Sequence, residues 1–127
     1  MSVEVNRPEV LAEVEAAFAR YEDALVNNRV DVLDELFWDS GHTVRYGAGE
    51  NLVGIEAIRR FRSARNPAGL ARALRATVIT TFGRDFATAM TEFTREGTTR
   101  IGRQSQAWVR FDAGWRVVSA HVSFIEG

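Results

Sequence analysis

The chain has 127 residues, 46% hydrophobic and 26% charged, with a formal net charge of −1; this is the size and balance of one ordinary globular domain with a real core. All 16 basic residues are arginine and cysteine is absent, which excludes disulfides, thiolate nucleophiles and ligands, Schiff bases and a lysine general base together. Two histidines, His42 and His121, are too few for a three-histidine zinc site and no HExxH spacing occurs, while interspersed charge argues against a nucleic-acid footprint.

The N-terminus, MSVEVNRPEVLAEVEAAF, lacks a basic region followed by an apolar run, and no segment approaches membrane-spanning length, so a cytoplasmic protein is expected. Residues 8 to about 27 read as a helix. Asn6 is placed to cap it, Pro8 suits its first turn, and Glu9 and Glu13 sit near its positive end. Val10 or Leu11, Val14, Phe18 and Leu25 repeat at three- and four-residue steps, and Tyr21 lies on the same apolar face, so its hydroxyl needs a partner inside. The plain expectation is a core tyrosine bonded to backbone.

A short second helix, DVLDELFW from Asp31, buries Leu33, Leu36 and Phe37 and ends at the turn Asp39-Ser40-Gly41. The stretch from Trp38 to Asn51 then concentrates histidine, arginine, tyrosine and glycine. Its centre, His42 to Gly47, alternates as a strand, with Val44 and Tyr46 on one face and Thr43, Arg45 and Gly47 on the other. If the apolar pair marks the core, Arg45 faces solvent, the ordinary place for a charge. Next come the glycine-broken link GAGENLVG and a third helix over residues 54–65, with Ile55, Ile58 and Phe61 inward. Its arginines, Arg59, Arg60, Arg62 and Arg65, are most simply a solvated face.

From residue 70 the pattern changes to four long strands, LARALRATVITTF, FATAMTEFTRE, RIGRQSQAWVRF and WRVVSAHVSFIE, joined at Gly83-Arg84-Asp85, Gly97-Thr98-Thr99 and Asp112-Ala113-Gly114. Hairpin-length joins predict an antiparallel meander. Helices first and the sheet afterwards predict a single α+β domain, with three N-terminal helices gathered on one side of a curved antiparallel sheet. Strict alternation in the last strand puts Trp115, Val117, Ser119, His121, Ser123 and Ile125 on one face. Polar groups among apolar neighbours there, and Arg103 and Ser105 in the third long strand, suit either a polar cavity or a dimer interface on the convex face.

The element order, closing on Gly114-Trp115 to His121-Val122-Ser123, resembles the cone-shaped superfamily of nuclear transport factor 2 and the SnoaL-like cyclases and isomerases. More narrowly, LFWDSGHTVRYGAGENLVGIEAIRRFRSAR with ITTFGRDFATA, GRQSQAWVR and GWRVVSAHVS resembles the AtzH-like family over nearly the whole chain. That resemblance implies decarboxylating hydrolysis of 1,3-dicarboxyurea to allophanate in cyanuric acid degradation, no cofactor, no metal and a homodimer. It also implies a functional tyrosine on the first helix and an arginine on the first strand, which fall on Tyr21 and Arg45.

The residue types accept these roles. A guanidinium is shaped for bidentate carboxylate binding, so Arg45 can hold one carboxylate of a small anionic urea or carbamate and Arg103, or an arginine of the third helix, the other. A phenol at Tyr21 can give a proton to nitrogen as carbon dioxide leaves, or steer a water. His121 is a further candidate for substrate contact. The competing expectation is a noncatalytic cone domain that binds a small anion or serves as the dimerising partner of an amidase, since a fold alone fixes no function.

Overall fold

In the computed structural model, which describes residues 2–127, the first apolar stripe folds as expected: α1 spans Pro8–Val26 and buries Val10, Val14, Phe18, Tyr21, Ala24 and Leu25. Asn6 does not cap it. Its side-chain Oδ1 accepts from the Thr81 amide at 2.9 Å and its own amide donates to the Thr81 carbonyl at 3.0 Å, so the residue ties the N-terminal segment to a strand edge and leaves Arg7 as a cap without a side-chain bond. α2, Val30–Leu36, and α3, Ile55–Ala64, complete the three helices.

Six strands form one curved, open sheet in the order β2-β1-β6-β5-β4-β3. The four long ones, β3 (Ala73–Phe82), β4 (Phe86–Thr94), β5 (Ile101–Phe111) and β6 (Gly114–Ile125), make the expected antiparallel meander. β1 (Val44–Tyr46) joins that meander by pairing parallel to β6, Arg45 opposite Ala120. The link after it is not structureless: Asn51–Val53 forms β2, paired antiparallel to β1. Three residues between glycines carry too little pattern to announce a strand.

The helices cover one face of the sheet, where Phe37, Trp108, Val117, Ala87 and Ala89 join the α1 stripe in one core. Trp108 stands edge-on to Tyr21, ring centroids 6.5 Å apart, and fixes where the phenol can point. One irregularity decides the rest of the layout. Ala107 pairs with Ser119 but Trp108 with Val117, so Val118 is an extra residue in β6, a β-bulge. A bulge inverts the phase of alternation beyond it. Trp115 and Val117 face the helices, as do Ala120, Val122 and Phe124; Ser119, His121, Ser123 and Ile125 therefore face outward, and the single face predicted for them does not exist.

Candidate functional site

β1 is inverted relative to its apolar pattern. Thr43 is fully buried with its hydroxyl donating to the Trp38 carbonyl at 2.7 Å, and Arg45 lies on the same, inner side, whereas Tyr46 is 41% exposed on the outer face beside His121. The parallel pairing with β6 beyond its bulge sets this phase, because Arg45 sits level with the inward Ala120. Arg45 is held by Glu50, Nη1 donating to Oε1 at 2.9 Å, and its guanidinium lies 5.4 Å over the Phe61 ring. Gly47 makes this grip possible. A Cβ on it would stand 1.8 Å from the Glu50 carboxylate oxygen.

Arg45 and Tyr21 line one cavity of about 210 Å³, together with Phe61, Arg65, Arg72, Phe93, Arg95, Gln104 and Phe124. That is below the roughly 300–1,000 Å³ of pockets for drug-sized ligands, so the natural occupant is small. Tyr21 is 5% exposed, and the interactions around it, Arg45 to Glu50, Arg62 to Asp34, and Arg72 to Glu22 and Gln104, all bypass its hydroxyl.

The arginines of the third helix divide. Arg60 is exposed, but Arg62 and Arg65 continue the inward stripe Ile55, Ile58 at seven- and ten-residue offsets from Ile55, so they are not part of a solvated face. Arg62 donates to Asp34 at 2.6 Å and lies 4.7 Å over Phe37. Arg65 reaches the cavity, and its Nε and Nη2 are buried without a hydrogen-bond partner.

Arg72 and Arg95 come from the other side, just before β3 and just after β4. Both lie over the Phe93 ring, at 4.4 and 5.0 Å, and that ring rests flat on Gly102, where a Cβ would stand 2.1 Å away. Arg72 is satisfied: Nε and Nη2 donate to the two Glu22 oxygens at 2.9 and 2.6 Å, and Nη2 also donates to Gln104 Oε1 at 3.0 Å. Arg95 is not, its buried Nε having no partner.

The electrostatic result is an uncompensated cationic cavity. Arg45 and Arg72 are matched by Glu50 and Glu22, while Arg65 and Arg95 have no carboxylate at ion-pair distance among the described residues. Four guanidiniums against two carboxylates leave two surplus positive charges. Burial pushes the Arg65 guanidinium below its ordinary value, and the cations Arg62 and Arg45 push the same way; Arg95 is lowered by burial and then by Arg72. An anion bound here favours the charged guanidiniums and so offsets both the burial and the mutual repulsion.

Arg103 and His121 do not meet Tyr21 and Arg45. Arg103 lies on the outer face, opposite Glu92 on β4 and Ser123 on β6, and His121 lies opposite Ser105 and Tyr46. Both line a separate outer cleft of about 450 Å³. Arg72 and Arg95 went unremarked in the sequence although part of the signal was there: Ala87, Ala89, Thr91 and Phe93 alternate inward, and Arg95 continues their phase. Among the described residues, no three histidine or acidic side chains cluster as metal ligands, and no helix is long and apolar enough to cross a membrane.

The AtzH-like family model matches residues 3–127. A crystal structure of a protein of unknown function from the DUF3225 family of Pectobacterium atrosepticum is 66% identical, covering 96% of this chain and 95% of that one, with a TM-score of 0.95. A cystatin-like fold protein from Burkholderia xenovorans is 48% identical, covers 99% of each chain and also gives 0.95. A nuclear transport factor 2-like protein from Salmonella enterica, 22% identical over 91% of this chain and 90% of that one with a TM-score of 0.73, shares the fold. No curated protein matches.

Proposed function

Because the chain belongs to the AtzH-like family, we propose that it is a cytoplasmic, cofactor-free hydrolase/decarboxylase that removes a carboxylate from a small N-carboxylated urea as carbon dioxide, converting 1,3-dicarboxyurea to allophanate in cyanuric acid catabolism. The observation that carries this reading is the presence of Tyr21 and Arg45 in one small cavity with two surplus positive charges.

The chemistry needs little else. Arg45 fixes the reacting carboxylate, with Glu50 restricting the rotation of its guanidinium. The bond between nitrogen and the carboxylate carbon breaks, carbon dioxide leaves, and the electron pair stays on nitrogen. Tyr21 supplies the proton that this nitrogen takes up and regains one from solvent, so each turnover consumes one proton and releases one carbon dioxide. Arg65, which lines the same cavity and has no carboxylate partner, is the cation available to steady the transient phenolate. General acid catalysis of this kind contributes about 10²- to 10⁴-fold.

A second copy of the chain completes the proposal. The outer face carries a cross-strand row of Val78, Met90, Ser105, His121 and Tyr46, with Val78, Met90 and Tyr46 exposed, an apolar strip that suits a homodimer.

The direct experiment is a coupled assay of allophanate formation from 1,3-dicarboxyurea. Tyr21→Phe is expected to reduce kcat about 10²- to 10⁴-fold while the fold is unchanged by circular dichroism. Wild-type protein that shows no rate above the spontaneous one removes the enzymatic reading and leaves a noncatalytic anion-binding domain.

A further inference from the structure

The cavity contains a buried amide whose orientation is fixed by its neighbour. Gln104 is 3% exposed, and Arg72 Nη2 stands 3.0 Å from Oε1. Arginine has no acceptor, so the amide oxygen must face Arg72 and the NH₂ must point away from it. That Nε2 is buried without a partner. The Nε of Arg95, on the same Phe93 platform as Arg72, is equally without one. A buried donor left unmade is costly, and here two belong to side chains that line one cavity with Arg45.

We propose that Arg95 and Gln104 form a second carboxylate subsite, which makes the cavity selective for small dianions with carboxylates at both ends over the corresponding monoanions. A carboxylate is acceptor only and can take an N–H from each of the two at once. Arg72 is already engaged, its Nε and Nη2 donating to Glu22 and Nη2 also orienting Gln104, so on this platform the unpartnered buried donors are those of Arg95 and Gln104. Arg103, on the outer face, takes no part. The subsite deepens the reading of a dicarboxylated substrate and rests on it for the identity of the natural ligand, though not for the existence of the site.

Glutarate tests this, since three atoms separate its carboxyl carbons, as in 1,3-dicarboxyurea, and it is inert to loss of carbon dioxide; glutaramate is its single-carboxylate counterpart. Titration calorimetry should show wild type preferring glutarate over glutaramate by at least tenfold. Arg95→Gln should weaken glutarate about 10- to 100-fold and bring the two ligands to near parity, Gln104→Leu should weaken glutarate about tenfold, and Arg95→Lys should recover part of the loss through charge alone. Arg103→Gln should bind as wild type. Equal binding of the two ligands by wild type, or unaltered glutarate binding by folded Arg95→Gln and Gln104→Leu, overturns the subsite even if dicarboxyurea is turned over. Selective glutarate binding without turnover keeps it and removes the decarboxylase.

Discussion

Arg62 and Arg72 on one side, and Arg65 and Arg95 on the other, are guanidiniums drawn into the same half of the molecule with opposite treatment. The first two each have a carboxylate partner: burial pushes Arg62 down as well, but Asp34 opposes it and Phe37 lies beneath it, while Arg72 is held by Glu22, Gln104 and Phe93. The second two keep buried N–H groups with no partner and are pushed down by burial and by neighbouring cations. The chain can evidently neutralise a buried arginine where the fold needs it. Leaving two unneutralised in one cavity is a local sacrifice of stability of the kind that binding sites show.

The contrast breaks first at Glu22. Glu22→Gln removes the charge opposite a 2% exposed side chain and should cost about 3–5 kcal/mol, the usual penalty for orphaning a buried ion. Urea denaturation should read this as a lowered midpoint at constant slope.

The second prediction has the opposite sign. Arg65 and Arg95 have folded values below their ordinary ones, so the charged form is disfavoured in the fold at every pH below those values, which includes the whole neutral range. Neutralising either, as in Arg65→Gln or Arg95→Gln, should therefore leave the ligand-free protein as stable as wild type or up to about 1 kcal/mol more stable, the gain limited by solvent screening of half-exposed groups. It should not vary between about pH 6 and 9, because no reference arginine value falls there. Thermal unfolding without ligand reads this, and a loss of several degrees in either variant would mean that these arginines hold structure.

How far the site was legible follows the same physics. Helical periodicity is rigid, so Tyr21 could be put on the inner face of α1, and the stripe Ile55, Ile58, Arg62, Arg65 was equally available once charge was not equated with exposure. The antiparallel meander and the three helices were readable from long patterned segments and hairpin joins. Strand faces were not. The three-residue β1 takes its phase from its partner and not from its own alternation, which is why Arg45 points in and Tyr46 out. The bulge at Val118, inside Val117-Val118 with no glycine or proline to mark it, turned His121 outward, and Arg72 is brought in by pairings between segments 32 and 50 residues apart.

The smallest effect sharpens the contrast from the other face of the sheet. Arg103 on β5 is in register with Glu92 on β4, and Glu92 accepts from Arg75 at 2.8 Å, so this outer arginine lies beside a solvated cross-strand charge pair, unlike the uncompensated pair inside. His121 stands edge-on to Tyr46 at 5.9 Å on the same face. With the sheet itself between these groups and the cavity, Arg103→Gln and His121→Ala should leave kcat/KM for dicarboxyurea within about twofold, less than 0.5 kcal/mol of transition-state energy. The assay has to be run with oligomeric state monitored by light scattering, because the row Val78, Met90, Ser105, His121, Tyr46 is the surface offered to a second copy. A tenfold loss in either variant at unchanged oligomeric state would make the outer cleft part of the reaction site; a loss that tracks dissociation would instead place the partner's surface against the cavity mouth.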